Sequence, residues 1–272
     1  MTVAAPTGLE RIARAFARAR EERRLAVVIY LTVGYPDRAS TAGLLRAALD
    51  GGADLLELGV PFSDPLADGA TVQRASEVAL AGGTSLRDCL AEARGLMAEY
   101  DAPVIFMGYL NPFLRYGLTA FARDAASAGA VGVIVPDLPA EESADLDAAL
   151  ASVGLARIDL YASTTPEDRL ARLVPRSRGF VYCVSVTGVT GARAAVAEDV
   201  GAFVARVRAH TALPIAVGFG ISRPDQVASL RDVADGVIVG SAAIDVVTNA
   251  PRSEGQRALR EFVASLVAAG RR

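Results

Sequence analysis

The sequence predicts a single (β/α)8 TIM barrel, in which eight parallel strands form a closed ring and a helix follows each strand. Three observations lead to this fold class. Eight short apolar runs alternate with longer amphipathic stretches along the 272 residues, which is typical of parallel strands joined by helices. The runs are continuously apolar, as expected for strands that are covered on both faces. Short segments of small residues, usually with glycine, end several amphipathic stretches just before a run begins.

The number of units favours the closed barrel over an open doubly wound sheet, which is the alternative that counting alone leaves open. The length fits one barrel, because barrels of ~250 residues are commonly single domains. No linker, charge block or low-complexity tract divides the sequence. Residues 1–272 are therefore expected to form one domain.

The candidate strands are the eight apolar runs, which in chain order are Ala26–Thr32, Leu55–Leu58, Val104–Met107, Gly132–Val135, Ala156–Tyr161, Phe180–Ser185, Ile215–Gly218 and Gly236–Val239. Helical patterns between them include Ser40–Asp50, Ser85–Tyr100, Leu118–Ser127, Glu141–Ser152, Asp199–Ala209 and Pro224–Val233. A short helix is also expected to begin at Gly240-Ser241, directly after the eighth strand.

A further helix is predicted before the first strand. Thr7-Gly8-Leu9-Glu10 has the form of a capping box, and Leu9, Ile12 and Phe16 recur at helical spacing. The stretch is rich in arginine, but it also contains glutamates and lacks the unbroken apolar region of a secretory signal. We expect a folded helix that covers one end of the barrel.

The composition argues against several classes of partner. The formal charge is −3 at pH 7 and no long basic run occurs, so nothing indicates binding to duplex nucleic acid or to an anionic membrane. No segment reaches the ~18 apolar residues of a membrane span. Cys89 and Cys183 lie in apolar contexts and indicate buried thiols of a reducing compartment. A cytoplasmic location is expected.

Glu57 places a carboxyl group inside the apolar run Leu55–Leu58. Strand periodicity directs Glu57 to the barrel interior and its leucine neighbours to the helices. An ionised carboxylate there is unfavourable without a partner, so its pKa should rise and proton transfer near neutral pH becomes feasible. The alternative is a structural ion pair, but the adjacent predicted strands, Ala26–Thr32 and Val104–Met107, contain no lysine or arginine. We therefore predict a catalytic role for Glu57.

An irregular loop, Val60–Gly69, follows that strand. Its Asp-Pro and Asp-Gly pairs are ordinary turn formers, so each aspartate taken alone is readily explained as a turn residue. The loop is nevertheless long for a connection between a strand and a helix, and it starts beside an interior glutamate. Asp68 is the residue in it that we expect to fold back over the mouth of the barrel.

Glycine pairs follow three late strands, at Thr187–Gly191, Gly218–Ser222 and Gly240-Ser241. Such segments offer backbone N–H groups without an obstructing Cβ, and a helix that starts at Ser241 would favour an anion at its N-terminus. Phosphate sites in barrels are frequently built from the loops after strands seven and eight. We predict a phosphate site there, although these loops are often rich in glycine for structural reasons.

His210 is the only histidine, and it follows a predicted helix, where it can cap carbonyl groups. A histidine-based catalytic triad or a site with several histidine ligands for a metal is therefore disfavoured.

Taken together, these motifs resemble the tryptophan synthase alpha chain family. The resemblance is carried by Leu56–Gly69, Asp137-Leu138-Pro139, Ser185–Arg193, Gly218–Ser222 and Gly240-Ser241-Ala242. The matching segments occur in the right order from about Ile29 to Ala242, which is nearly the whole barrel. The first segment is specific to the family, whereas many phosphate-binding barrels share the glycine segments.

The resemblance implies the retro-aldol cleavage of indole-3-glycerol phosphate to indole and glyceraldehyde 3-phosphate, without a cofactor. By resemblance, Glu57 transfers protons between indole C3 and the glycerol hydroxyl, and Asp68 accepts the indole N–H. Phosphate-binding residues implied in the same way are Gly191, Phe219, Gly220, Gly240 and Ser241. The residues expected to line the substrate site are Tyr182, Phe113, Leu110 and Ile158.

The family also docks on a beta chain that depends on pyridoxal phosphate and receives the indole. The residues similar to its docking face are Pro61, Asp64, Pro65, Asn111 and Pro139. Two alternatives keep the same residues: a free-standing lyase that supplies indole to a specialised pathway, and a regulatory binding subunit without turnover. A different phosphate-binding barrel isomerase is disfavoured because no catalytic histidine or lysine stands at the strand ends.

Overall fold

A computed structural model describes residues 6–184, 193–218 and 220–272. Nine strands in these parts of the chain form one parallel sheet that is nearly closed into a barrel. The strands are β1 Ala26–Thr32, β2 Leu55–Gly59, β3 Val104–Met107, β4 Ala130–Ile134, β5 Ala156–Arg157, β6 Asp159–Ala162, β7 Val181–Val184, β8 Ile215–Gly218 and β9 Gly236–Val239. The predicted barrel fold is confirmed.

Helices cover the outside and the amino end of the barrel. They are α1 Gly8–Glu21, α2 Arg38–Asp50, α3 Ala70–Ala81, α4 Leu86–Met97, α5 Leu110–Tyr116, α6 Leu118–Ser127, α7 Ala144–Ala151, α8 Glu167–Leu173, α9 Arg193–Arg208, α10 Pro224–Ser229, α11 Ser241–Asn249 and α12 Gly255–Ala269. Short 3-10 helices lie at Ala140–Glu142 and Val174–Arg176. Within the described ranges, no helix combines the length and the apolar character needed to cross a membrane.

The fifth predicted strand, Ala156–Tyr161, is wrong in one respect, because it is divided at Ile158. β5 pairs with β4, whereas β6 pairs with β7, so the two halves of one barrel strand hydrogen-bond to opposite neighbours. The N–H group of Ile158 still donates to the carbonyl of Val133, at 2.9 Å. Beyond this bond the sheet has a split between the carboxyl ends of β4 and β6.

Several predicted helix boundaries also change. The helix predicted at Ser85–Tyr100 ends at Met97, and the one predicted at Pro224–Val233 ends at Ser229, because i→i−3 hydrogen bonds tighten each last turn. Glu141–Ser152 contains a 3-10 turn followed by α7. The prediction omitted α3, α5, α8 and α12, and Ser185, at the end of a predicted strand, lies outside the described residues.

Helix α1 closes the amino end of the barrel as predicted. Thr7 accepts a hydrogen bond from the N–H of Glu10, and the Glu10 carboxylate accepts one from the N–H of Thr7, which completes the capping box. Ile12 and Phe16 are buried, and the rings of Phe16 and Phe180 lie 5.4 Å apart. These side chains join an interior cluster of barrel residues that includes Leu55.

A buried ion pair joins α1 and the first two strands below this cluster. The Arg24 guanidinium donates two hydrogen bonds to the Asp54 carboxylate, at 2.5 and 2.9 Å. Asp54 is fully buried and also accepts from the N–H of Val27 and from Arg18. The carboxylate is thus satisfied on all sides, as a buried charge must be.

Candidate active site

A cavity of about 570 Å³ opens at the carboxyl ends of the strands, where catalytic residues of such barrels lie. Both predicted catalytic carboxyl groups line it. Other lining residues include Tyr30, Val72, Met107, Pro136, Leu160, Tyr161, Tyr182, Val184, Gly220, Ile238, Gly240, Ser241 and Asp245. The wall is mainly apolar, and its few polar groups come from different strands and loops, as is usual for a small-molecule site.

Glu57 lies in β2 with its side chain inside the barrel and is 1% exposed. Neither carboxylate oxygen has a hydrogen-bond partner in the described parts of the chain. Burial therefore raises the pKa of Glu57 from 4.5 to about 8, because desolvation penalises the charged form. At neutral pH the group is mostly protonated and can donate a proton into the cavity.

Asp68 reaches the same cavity from the loop between β2 and α3, and its side chain is half-buried. Burial raises the pKa of Asp68 from 3.8 to about 6, and a hydrogen bond with the Tyr109 hydroxyl opposes this shift. At pH 7 Asp68 is therefore mostly ionised while Glu57 is mostly protonated. Two carboxyl groups that differ in this way can divide the roles of acid and anion between them.

The loop that carries Asp68 is held by hydrogen bonds to its backbone. The Gln73 side-chain amide donates to the carbonyl of Asp68 at 2.9 Å and to that of Pro65 at 3.4 Å. The N–H of Ala67 donates to the Tyr109 hydroxyl at 2.9 Å. Tyr109 therefore positions the loop and also hydrogen-bonds to its carboxylate. The sequence motif alone did not identify Gln73 or Tyr109 as supports of this loop.

Two tyrosines form part of the interior wall. Tyr30 and Tyr182 are both buried, and each hydroxyl occupies the space that a Cβ would need at a glycine on the neighbouring strand. The glycine beside Tyr30 is Gly59, and the one beside Tyr182 is Gly218. Burial and the nearby carboxyl groups raise the pKa of both tyrosines, so both remain neutral hydrogen-bonding groups.

The described part of the predicted phosphate site also lines the cavity. Gly240 precedes α11, Ser241 is the first residue of that helix, and Gly220 adopts a positive φ of 78°. The first turn of a helix leaves N–H groups without partners inside the helix and carries partial positive charge. This end of the cavity is therefore suited to an anion. Two other predicted phosphate residues, Gly191 and Phe219, lie outside the described residues.

The predicted substrate wall is only partly brought to the cavity. Tyr182 lines it, whereas Phe113, Leu110 and Ile158 are not among its lining residues. Phe113 is in α5 and stacks on Phe121 in the layer between strands and helices, at 4.3 Å between ring centroids. Ile158 packs lower, in the interior cluster closed by α1.

Other interior residues form the wall instead, and they were missed. Met107, Leu160 and Val184 line the cavity from the ends of β3, β6 and β7, and Tyr30 does so from β1. Strand alternation contained the signal, because the interior positions nearest each carboxyl end are the ones that meet the mouth.

The residues predicted for a docking face lie around the same end. Asp64, Asn111 and Pro139 are exposed, Pro65 is partly exposed, and Pro61 is buried. Leu66, beside Pro65, is 91% exposed, and Leu114 in α5 is 52% exposed. Among the described residues, no group of three or more His, Cys, Asp or Glu is placed to hold a metal ion.

Comparisons with known proteins agree on one family. The sequence model described as "Tryptophan synthase alpha chain" matches residues 16–269. The chain is 52% identical over 256 residues to the tryptophan synthase alpha chain of Roseiflexus castenholzii, covering 94% of this chain and 98% of the relative. It is 45% identical to that of Geobacter sulfurreducens over 258 residues, or 95% and 98% of the two chains.

Solved structures give the same result. A structure of Mycobacterium tuberculosis tryptophan synthase is similar with a TM-score of 0.88 and 42% identity, covering 96% of this chain and 98% of that one. The tryptophan synthase alpha chain of Legionella pneumophila matches with a TM-score of 0.87 and 33% identity, over 97% of each chain.

Proposed function

Because this chain belongs to the tryptophan synthase alpha chain family, we propose that it cleaves indole-3-glycerol phosphate to indole and glyceraldehyde 3-phosphate. The observation that carries the proposal is Glu57, whose two carboxylate oxygens are buried at the cavity without a partner in the described structure. A buried carboxyl group with no structural partner is unfavourable for folding, so its retention is best explained by chemistry.

Glu57 acts first as the general acid. The bond between indole C3 and the glycerol side chain breaks easily only when the ring can accept the bonding electrons, and protonation at C3 makes the ring such an acceptor. Glu57 is mostly protonated at neutral pH, because its pKa is about 8, and it donates this proton to C3. The resulting carboxylate then removes the proton of the adjacent glycerol hydroxyl. The carbon–carbon bond breaks, its electron pair returns to the indole, and the hydroxyl carbon becomes the aldehyde.

Asp68 stabilises the positive charge that develops on the indole. With a pKa of about 6 it is ionised at neutral pH, so it accepts a hydrogen bond from the indole N–H. The charge on the ring grows when C3 is protonated, and this interaction is then strongest. The contacts from Gln73 and Tyr109 to the loop hold Asp68 in place, and the hydrogen bond from Tyr109 to its carboxylate favours the ionised form.

The phosphate group binds at the start of α11. Gly240 and Ser241 present backbone N–H groups at the positive end of the helix, and Gly220 follows the adjacent strand β8 and lines the same cavity. By family resemblance Gly191 and Phe219 complete this site. The apolar wall of Leu160, Val184 and their neighbours then receives the indole ring.

The absence of lysine from the sequence bears on the type of cleavage. The sequence contains 28 arginines and no lysine. No side-chain amine is therefore available to form a Schiff base with a carbonyl carbon. An aldol cleavage by this chain must therefore proceed through another electron acceptor. The indole ring of the substrate supplies one.

We further propose a pyridoxal-phosphate-dependent beta chain as partner. The surface offered to it includes the exposed residues Asp64, Asn111 and Pro139, together with Leu66 and Leu114.

One sheet contains all nine described strands, which supports a single domain over residues 1–272. The free, buried thiols of Cys89 and Cys183 support a cytoplasmic location.

The test is indole release from indole-3-glycerol phosphate by the parent chain and by Glu57→Gln, with and without a beta chain. The substitution keeps the shape but removes the transferable proton, so we expect a loss of about 10²–10⁴-fold. Glu92→Gln, in a half-buried glutamate of α4 outside the cavity, is the matched control and should retain parental activity. Activity of Glu57→Gln within tenfold of the parent contradicts the assignment. An unchanged rate on adding the beta chain contradicts the partnership.

A further inference from the structure

The outer layer of the barrel contains a second cavity, between α7 and α8. It has a volume of about 640 Å³, which is similar to that of the active-site cavity and within the range of small-molecule sites. About half of its lining residues are apolar, among them Ala148, Leu155 and Leu173, and the others are charged or polar. We refer to it as the outer cavity.

The outer cavity exists because the two helices beside it are short. α7 and α8 comprise 8 and 7 residues, and α7 presents the small side chains of Ala148 and Ala151 to the gap. They leave part of the divided fifth strand uncovered. Protein interiors are normally packed without large voids, so a space of this size between helices needs an occupant or water.

The floor of the outer cavity is charged. Arg157 and Asp159 line it, although outward-facing strand positions in a barrel are normally apolar. Arg157 hydrogen-bonds to Asp159 and also to Asp147, at 2.6 Å from Nε. The Ser143 hydroxyl donates to Asp147 at 2.7 Å. Both carboxylates therefore have hydrogen-bond partners, but the single guanidinium balances only one of their two negative charges.

The positive charges without a partner lie at the rim. Arg176 and Arg178 line the outer cavity and are exposed, and neither has a hydrogen-bond or ion-pair partner in the part of the chain that the structure describes. Two guanidinium groups at the edge of a partly apolar space can bind a planar carboxylate or a phosphate by several hydrogen bonds. The combination suits an anion that carries an apolar group.

The outer cavity also contacts the active-site wall. Ser177 lies between the two arginines, and its hydroxyl is hydrogen-bonded at 3.0 Å to the hydroxyl of Tyr161. Tyr161 also lines the active-site cavity. A space of about 240 Å³ at the split in the sheet lies between the two cavities. It shares Leu160 and Tyr161 with the active site, and Arg157 and Asp159 with the outer cavity.

We propose that the outer cavity is a second ligand site, for a small organic anion whose charged group binds Arg176 and Arg178 and whose apolar part packs between α7 and α8. The site is separate from the catalytic carboxyl groups, and the proposal is independent of the reaction assigned to them. A bound ligand would press directly on the Ser177–Tyr161 contact at the back of the active-site wall.

The test uses 4-fluorobenzoate as probe, titrated against the full chain and followed by fluorine NMR. Its carboxylate matches the arginine pair, and its ring matches the apolar part of the lining. Arg176→Gln/Arg178→Gln should raise the Kd at least about tenfold, since two charge-assisted contacts are lost. Ala148→Leu, which fills the space without changing charge, should also weaken binding. The neutral analogue 4-fluorobenzamide should bind at least about tenfold more weakly than the acid.

The matched control is Arg94→Gln/Arg260→Gln, which removes two exposed arginines that have no partner among described residues and lie away from the outer cavity. It makes the same change in net charge and should leave the Kd unchanged. An equal loss of affinity in this control would mean that the probe is attracted by net charge alone, and it would overturn the proposal. Binding that is unchanged in the Arg176/Arg178 variant, or no binding at millimolar probe, would also overturn it.

Discussion

The Tyr30 side chain fills the space in front of Gly59, so that a Cβ on Gly59 would stand 2.7 Å from Cε2 of the tyrosine ring. The two residues lie on adjacent strands, where Thr32 pairs with Gly59 and Tyr30 pairs with Glu57. Tyr182 has the same relationship to Gly218, at 2.7 Å from Cε1. Each glycine thus allows a large side chain to lie flat across the barrel beside the catalytic group.

Gly59→Ala is therefore expected to destabilise the protein and to displace Tyr30. The added methyl group would meet the ring of a buried tyrosine, and overpacking of this kind typically costs about 1–3 kcal/mol. Urea unfolding followed by circular dichroism measures the loss. We also expect reduced indole release, because Tyr30 lines the cavity.

Gly95→Ala is the matched control for that substitution. Gly95 lies inside α4, and a Cβ there has no neighbour within 4 Å. Replacing a glycine in a helix by alanine stabilises by about 0.5–1 kcal/mol, so this variant should be slightly more stable than the parent. If Gly59→Ala behaved like Gly95→Ala, the packing argument for Tyr30 would be refuted.

Glu57 should make the stability of the fold depend on pH. Between pH 4.5 and about 8, the folded state holds a proton on Glu57 that the unfolded state has released. The unfolded state binds fewer protons in this window, so this contribution to the free energy of unfolding falls as the pH rises. The shift spans about 3.5 pH units at about 1.4 kcal/mol each, which sets an upper limit of about 5 kcal/mol.

Glu57→Gln isolates that effect, because glutamine stays neutral. The stability of the variant relative to the parent should increase from pH 5 to pH 8 and then become constant. Urea midpoints of both proteins, measured across this range, give the difference. A difference that does not vary with pH would mean that Glu57 ionises normally in the folded protein.

The rate of indole release should show a bell-shaped dependence on pH. Asp68 must be ionised and Glu57 protonated, so kcat/KM should fall below about pH 6 and above about pH 8. Tyr109→Phe removes a hydrogen bond that lowers the pKa of Asp68, and the acid limb should therefore move to higher pH. Tyr116→Phe, whose hydroxyl bonds Asp124 away from the cavity, should leave the profile in place. If the fall of kcat/KM at low pH stayed at the same pH in Tyr109→Phe, it would not be caused by protonation of Asp68.

Asp54→Asn tests the ion pair under the barrel. The change leaves Arg24 buried opposite a neutral group, and loss of one partner of a buried pair commonly costs about 3–5 kcal/mol. Asp101→Asn is the control, since Asp101 pairs with Arg11 but is 95% exposed, and little change is expected there. Equal unfolding midpoints for the two variants would show that the Arg24–Asp54 pair does not stabilise the fold.

Most of the barrel could be predicted from the sequence, because buried parallel strands are continuous apolar runs. The division at Ile158 could not, since Ala156–Tyr161 fits one strand in length and pattern, and the change of neighbour depends on the geometry of the whole ring. The short helices α5 and α8 were also missed, because 7 residues are too few to reveal a helical period.

The candidate site divides in the same way. Glu57 could be predicted from its own position, because an acid in an apolar strand requires a reason. Asp68 has no such local signal, and its place at the cavity depends on a loop held by Gln73 and Tyr109. Phe113 was expected at the substrate only by family resemblance. It lies in α5, where its ring stacks on Phe121 and does not line the cavity.

In the described part of the chain, the helix at the amino end closes that end of the barrel. With Ile12 and Phe16 closing the floor, a molecule reaches Glu57 from the carboxyl rim, and whatever is formed there leaves toward the same rim. Arrival and departure therefore take place at the same rim, and a product that stays bound there excludes the next substrate. A protein bound at that rim would control both the entry of substrate and the release of product.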